Sequence, residues 1–110
     1  MNLTHIINTV VNARRLRHFI SDVLHETELS YNELELLYTV DKHKGIRPSR
    51  IANITEQKIS TLSKIIHKLD ERDLLCLETS YQDRRNVLLT LTPKGREILG
   101  ALKNKVKQIK

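Results

Sequence analysis

Tryptophan is absent from these 110 residues, phenylalanine and cysteine occur once each, and there are two prolines and three glycines. The lone thiol, Cys76, excludes an internal disulfide framework and a multi-thiolate zinc site, and it fits a reducing cytosol. Pro48 and Pro93, with Gly45, Gly95 and Gly100, supply no linker long enough to separate domains, so residues 1–110 read as one domain. No apolar run approaches the ~20 residues that span a bilayer. The start, Met1-Asn2-Leu3-Thr4-His5, lacks the basic opening and apolar stretch of a secretory signal, so the expectation is a cytoplasmic chain without a membrane partner. No glycine-rich phosphate loop, nucleophile elbow or acid–base pair is legible, which argues against an enzyme. His5, His18, His25, His43 and His67 show no metal-ligand spacing, and neither metal nor cofactor is expected.

What is present is positive charge: 19 Lys and Arg against 13 Asp and Glu, a formal net charge of +6. A balance of this sign suits a chain that meets phosphates or another anionic surface. The charge is uneven. Residues 1–41 carry net −3, residues 42–72 net +5, residues 73–91 net −1 and residues 92–110 net +5. The middle block is the candidate binding face, whereas Lys103, Lys105, Lys107 and Lys110 form either a solvated helix face or a second contact surface.

Apolar spacing organises the chain. Residues 4–26 place Ile6, Val10, Ala13, Leu16, Phe19 or Ile20, and Val23 or Leu24 at steps of three and four, the stripe of a long amphipathic helix. Ser30-Tyr31-Asn32-Glu33 has the form of a capping box opening a helix with Leu34, Leu37 and Tyr38 inward, which ends over Asp41 to Gly45. Pro48 suits the first position of a short helix through Asn53. From Thr55 or Glu56 to Arg72, Ile59, Leu62, Ile65 or Ile66, and Leu69 form a core stripe, with a polar, basic face opposite. Leu74–Thr79 and Asn86–Leu91, on either side of a charged turn, read as a β-hairpin. Thr92-Pro93 then opens a helix carrying Ile98 or Leu99, Leu102, Val106 and Ile109. The expected fold is mainly α with a small β-hairpin wing (α+β), a winged helix-turn-helix, in which the second helix of the pair enters the major groove.

Over roughly residues 30–99 the sequence resembles the MarR/SarA family of bacterial winged-helix transcription regulators. Asp83-Arg84-Arg85-Asn86-Val87-Leu88-Leu89-Thr90-Leu91-Thr92-Pro93-Lys94-Gly95 is similar to that family's wing signature: D-x-R, an apolar strand, L-T and a glycine. Upstream, Ile51-Ala52 followed by Thr61, Lys64 and Leu69 matches its short helix and recognition helix. Asp73 stands where the wider family usually has the glycine that ends the recognition helix, so the helix end must tolerate a left-handed or otherwise strained residue. Thr55 and Gln57 occupy places often apolar in MarR members. With 110 residues the chain is expected to be without the extra C-terminal helix of longer members, and Leu29-Ser30-Tyr31-Asn32-Glu33 and Gln82-Asp83-Arg84-Arg85 look more like the short SarA branch.

On that reading the recognition helix, about 56–72, presents Gln57, Lys58, Ser60, Thr61 and Lys64 to base edges and flanking phosphates, and Lys68 and Arg50 to phosphates. Arg84 and Arg85 tip the wing (74–91) at the minor groove, where the resemblance makes Arg85 the main contact and Asp83 its orienting partner. Each of these positions could otherwise be simply solvated. The apolar stripes of residues 4–26 and 93–110 exceed one small core and are expected to join two copies, so the expected target is a double-stranded, pseudo-palindromic, AT-rich site bound by a homodimer. No residue identifies a small-molecule effector. Cys76 is expected to be packed or half-buried in its strand rather than a redox sensor. The alternative function is a winged-helix adaptor whose basic helix binds an acidic protein, without sequence-specific DNA binding.

Overall fold

The computed structural model describes residues 1–79 and 87–108. Helices α1 (Leu3–Leu24), α2 (Tyr31–His43), α3 (Pro48–Thr55) and α4 (Ile59–Glu71) precede strands β1 (Leu75–Thr79) and β2 (Val87–Leu91), and α5 (Pro93–Gln108) follows. The expected mainly helical order with one hairpin is the order observed. Backbone contacts divide the chain into two units, Met1–Tyr31 and Asn32–Lys110, and each is described by itself.

In the first unit, Asn2 caps α1 by accepting the His5 N–H on Oδ1 at 2.8 Å, which satisfies one of the donors a helix start leaves open. The predicted stripe divides along the helix. Ile6, Val10 and Leu16 are exposed, while Val23 and Leu24 are buried. One turn of 3₁₀ helix, His25–Thr27, follows, and Glu28 at φ 59° ends it.

The second unit begins within α2, which starts directly after Ser30, where the capping pattern places it. Leu37 is buried as predicted, but Tyr38 is 50% exposed. The buried side of α2 is centred on Leu36, Leu37 and Val40, and Tyr38 lies one helical step off that arc. Gly45 (φ 115°) turns the chain into Ile46, whose N–H and carbonyl pair with Leu89 at 3.2 and 2.8 Å. That bridge extends the hairpin by a third, one-residue edge. Arg47 is extended (φ −76°, ψ 144°), as a residue before proline prefers, and Pro48 opens α3.

Helix α4 begins at Ile59 rather than at residue 55 or 56. The chain between α3 and α4 is interrupted by Glu56, held left-handed at φ 55°, and both the Glu56 and Gln57 N–H groups turn back to the Ala52 carbonyl. Leu62, Ile66 and Leu69 are buried as predicted, together with Ile51 of α3, which packs on α4. Ile59 is 51% exposed, because it is the first helical residue and lies a full turn ahead of the buried Leu62.

The hairpin is antiparallel with Leu75 opposite Leu91 and Thr79 opposite Val87. Leu75, Leu89 and Leu91 are buried. Cys76, expected to be packed or half-buried, is exposed: it pairs across from Thr90, and successive strand residues face opposite ways, so burial of Leu75 turns Cys76 outward. Asp73 adopts φ 59°, so of the left-handed or otherwise strained conformations expected there it takes the left-handed one. Gly95 is fixed by close approach, since a Cβ there would lie 2.3 Å from the Leu74 carbonyl oxygen. In α5, Leu99 and Leu102 are buried and Val106 is exposed; Ile109 lies outside the described residues.

Candidate nucleic-acid interface

Burial of Leu62, Ile66 and Leu69 decides which side of α4 faces outward. Ser60, Thr61, Lys64 and Lys68 are all exposed, and Thr61, Lys64 and Lys68, at steps of three and four, share one face over two turns. Their neighbours are engaged locally. The Ser63 hydroxyl donates to the Ile59 carbonyl at 2.9 Å, and His67 Nε2 lies 2.9 Å from Glu71 Oε1. Among the described residues no side-chain hydrogen bond or ion pair holds Ser60, Thr61, Lys64 or Lys68, so their polar ends are available to an outside partner.

The start of α4 has the same polarity. Lys58 stands at its N-cap without a capping side-chain bond, and no acidic residue occupies the first turn. The Leu62 N–H bonds back to the Lys58 carbonyl, which leaves the earlier N–H groups of the turn directed outward. Helices commonly carry an acidic or hydroxyl side chain at the cap of this end because its partial charge is positive; here a lysine occupies the cap and adds to that charge, with the hydroxyls of Ser60 and Thr61 following in the first turn.

Gln57 and Lys58 precede the helix instead of lying on it. Lys58 is exposed, but Gln57 is half-buried, and its Nε2 donates to Glu35 Oε1 of α2 at 3.2 Å. That bond ties the α3–α4 turn to α2. Arg50 is exposed on α3, the helix packed on α4. Asp83, Arg84 and Arg85 lie outside the described residues. The structure therefore gathers Arg50, Lys58, Ser60, Thr61, Lys64 and Lys68 on α3, α4 and the turn between them, and sets Gln57 into that turn. The Ile46–Leu89 bridge, which fastens the middle of β2 to the chain entering α3, has no signal in the sequence beyond the extended preference of residues before Pro48.

Residues 18–102 match the family model described as the transcriptional regulator SarA/Rot. The HTH-type transcriptional regulator Hpr of Geobacillus sp. (strain WCH70) is 36% identical over 72 residues, 66% of this chain and 36% of the Geobacillus protein. An uncharacterized HTH-type transcriptional regulator of Staphylococcus aureus (strain Mu50) is 32% identical over 76 residues, 69% of this chain and 52% of its own length. The chain thus matches only about a third to a half of the length of these curated relatives. Among solved structures, a Staphylococcus aureus MarR in complex with salicylate and kanamycin superposes with a TM-score of 0.85 at 25% identity, covering 96% of this chain and 71% of that one. The helical order, the hairpin and the paired helices α3 and α4 are the winged helix-turn-helix that this similarity carries. With more than half its length matched by the family model, the chain belongs to the SarA/Rot family of transcriptional regulators.

Proposed function

We propose that the chain is a homodimeric, sequence-specific regulator that binds double-stranded DNA with α4 in the major groove and the hairpin at the minor groove. The observation that carries this reading is the exposed face of α4, where Ser60, Thr61, Lys64 and Lys68 stand without partners among the described residues, beside an N-terminus that lacks both cap and acidic residue. Thr61 and Lys64 make the base-edge contacts, with Ser60 and Gln57 beside them. Lys58, Lys68 and Arg50 hold phosphates. At the wing, Arg85 enters the minor groove with Arg84 alongside, and Asp83 orients the guanidinium.

The dimer rests on a separate observation. Leu3, Ile6, Ile7, Val10, Val11 and Leu16 of α1 and Val106 of α5 are exposed, more apolar surface than a lone helix gains by showing to water. A second copy covers it, and the two α4 helices then meet half-sites about one helical turn apart on a pseudo-palindromic, AT-rich duplex. A mobility-shift titration tests the reading: protein retained on heparin should transfer to duplex DNA, and Lys64→Ala and Arg85→Ala should each weaken the shift while leaving the melting temperature unchanged. Retention on heparin without transfer to any duplex would instead favour an adaptor that binds an acidic protein.

A further inference from the structure

A groove of about 520 Å³ runs between the C-terminal end of α2, the extended Ile46–Arg47 segment and the first turns of α3. Its polar lining is His43, Arg47, Ser49, Arg50 and Asn53, and Leu88 of β2 closes one side. Among the described residues no carboxylate lines it. Asp41, the nearest acid in sequence on α2, is engaged elsewhere, by Lys103 Nζ at 3.1 Å.

Arg47, Ser49, Arg50 and Asn53 are exposed, and among the described residues neither arginine makes an ion pair or side-chain hydrogen bond. Two guanidiniums, a hydroxyl and an amide thus converge on one concavity with their donors unused, a donor set suited to phosphate oxygens. Both guanidiniums line one groove that no carboxylate lines among the described residues, so an anion entering it meets positive charge with no counter-ion in the lining. The place of the groove selects the anion. It abuts α3, which packs on α4, and the middle of β2 through Leu88 and the Ile46–Leu89 bridge. It therefore lies between the two elements proposed to enter adjacent grooves of a duplex, where the sugar-phosphate backbone passes.

We infer that this groove is a phosphate seat, formed by Arg47, Ser49 and Asn53 together with Arg50, that grips a phosphodiester of the DNA backbone between the α4 contact and the hairpin contact. The inference rests on the DNA-binding reading above and adds residues to it. The seat contributes affinity independent of base sequence, and it fixes how far α4 is inserted. Arg47 acts through its side chain alone, because its backbone role at the α3 N-cap involves no side-chain bond.

Fluorescence anisotropy of the full chain on a labelled duplex, repeated over a series of salt concentrations, tests it with Arg47→Ala, Asn53→Ala and Lys64→Ala. Arg47→Ala should weaken binding on the order of five-fold near physiological salt, equally for selected and unrelated duplexes, and flatten the plot of log affinity against log salt by about one. Asn53→Ala should weaken binding equally across sequences with the slope retained, and both variants should melt with the wild type. If Arg47→Ala matches the wild type in affinity and slope while Lys64→Ala binds more weakly, the seat is wrong and the DNA-binding reading stands. If the wild type binds no duplex, both fall. Inorganic phosphate at constant ionic strength provides the other arm: an Arg47-dependent rise in melting temperature, with duplex affinity unaltered by Arg47→Ala, would assign the groove to a free anion and overturn the DNA backbone as its ligand.

Discussion

The Thr92 hydroxyl donates to the Asp73 carbonyl at 2.6 Å and accepts the Gly95 N–H at 3.0 Å. One side chain thereby caps α5 and ties it to the turn that leaves α4. The Thr92 N–H adds a third tie, to the Leu74 carbonyl at 3.2 Å. Thr92→Ala removes both hydroxyl bonds and should lower stability by about 1–2 kcal/mol in urea denaturation, while Thr92→Ser should retain most of it.

Asp73 sits in the same turn at φ 59°. A left-handed conformation is disfavoured for residues with a Cβ, so Asp73→Gly should raise stability by about 0.5–1 kcal/mol net of the added freedom of the unfolded chain. Asp73→Val should do the reverse. Paired denaturation curves of the two variants check the sign.

Much of this architecture is legible in the sequence, for reasons that individual residues make plain. Ser30, Pro48 and Thr92-Pro93 are local signals whose physics acts within one turn, and helices begin beside each of them. Leu62, Ile66 and Leu69 repeat at helical period, so the outward side of α4, with Thr61, Lys64 and Lys68, follows from sequence alone. What escapes depends on contacts between distant segments. The start of α4 at Ile59 is set by Glu56 turning left-handed, and Gln57 is drawn to Glu35, 22 positions earlier, so neither residue lies on the helix expected to contain it. Tyr38 and Cys76 each lie one position beside a buried leucine, where a small rotation or the strand alternation decides exposure. The groove beside α3 brings His43 and Asn53 together with Leu88, a grouping that no linear motif contains.

The Gln57–Glu35 bond is a second tie between elements, at 3.2 Å and half-buried. Gln57→Ala should destabilise by about 1 kcal/mol, and a double-mutant cycle with Glu35→Ala should give a coupling energy of roughly 0.5–1 kcal/mol. Additive effects would show that the bond contributes nothing.

The exposed α1 residues make the dimer testable apart from DNA. Val10→Glu places a charge on the apolar stripe and should shift sedimentation at micromolar concentration from dimer to monomer, with helical content retained, because Val10 is exposed in the single chain. A wild-type protein that sediments as a monomer at that concentration would contradict the dimer.

Thr61 and Lys64 of α4 and Arg85 of the wing are the residues proposed to read a duplex. Selection from a random double-stranded DNA library, carried out in parallel with the wild type, Thr61→Ala, Lys64→Ala and Arg85→Ala, addresses that role at its source. The wild type should enrich a pseudo-palindromic, AT-rich site with half-sites about one turn apart. The two α4 variants should lose base preference within the half-sites, and Arg85→Ala should lose the AT bias at their flanks. Wild-type protein that enriches no sequence, or enriches the same site as all three variants, would contradict the proposed reading of DNA.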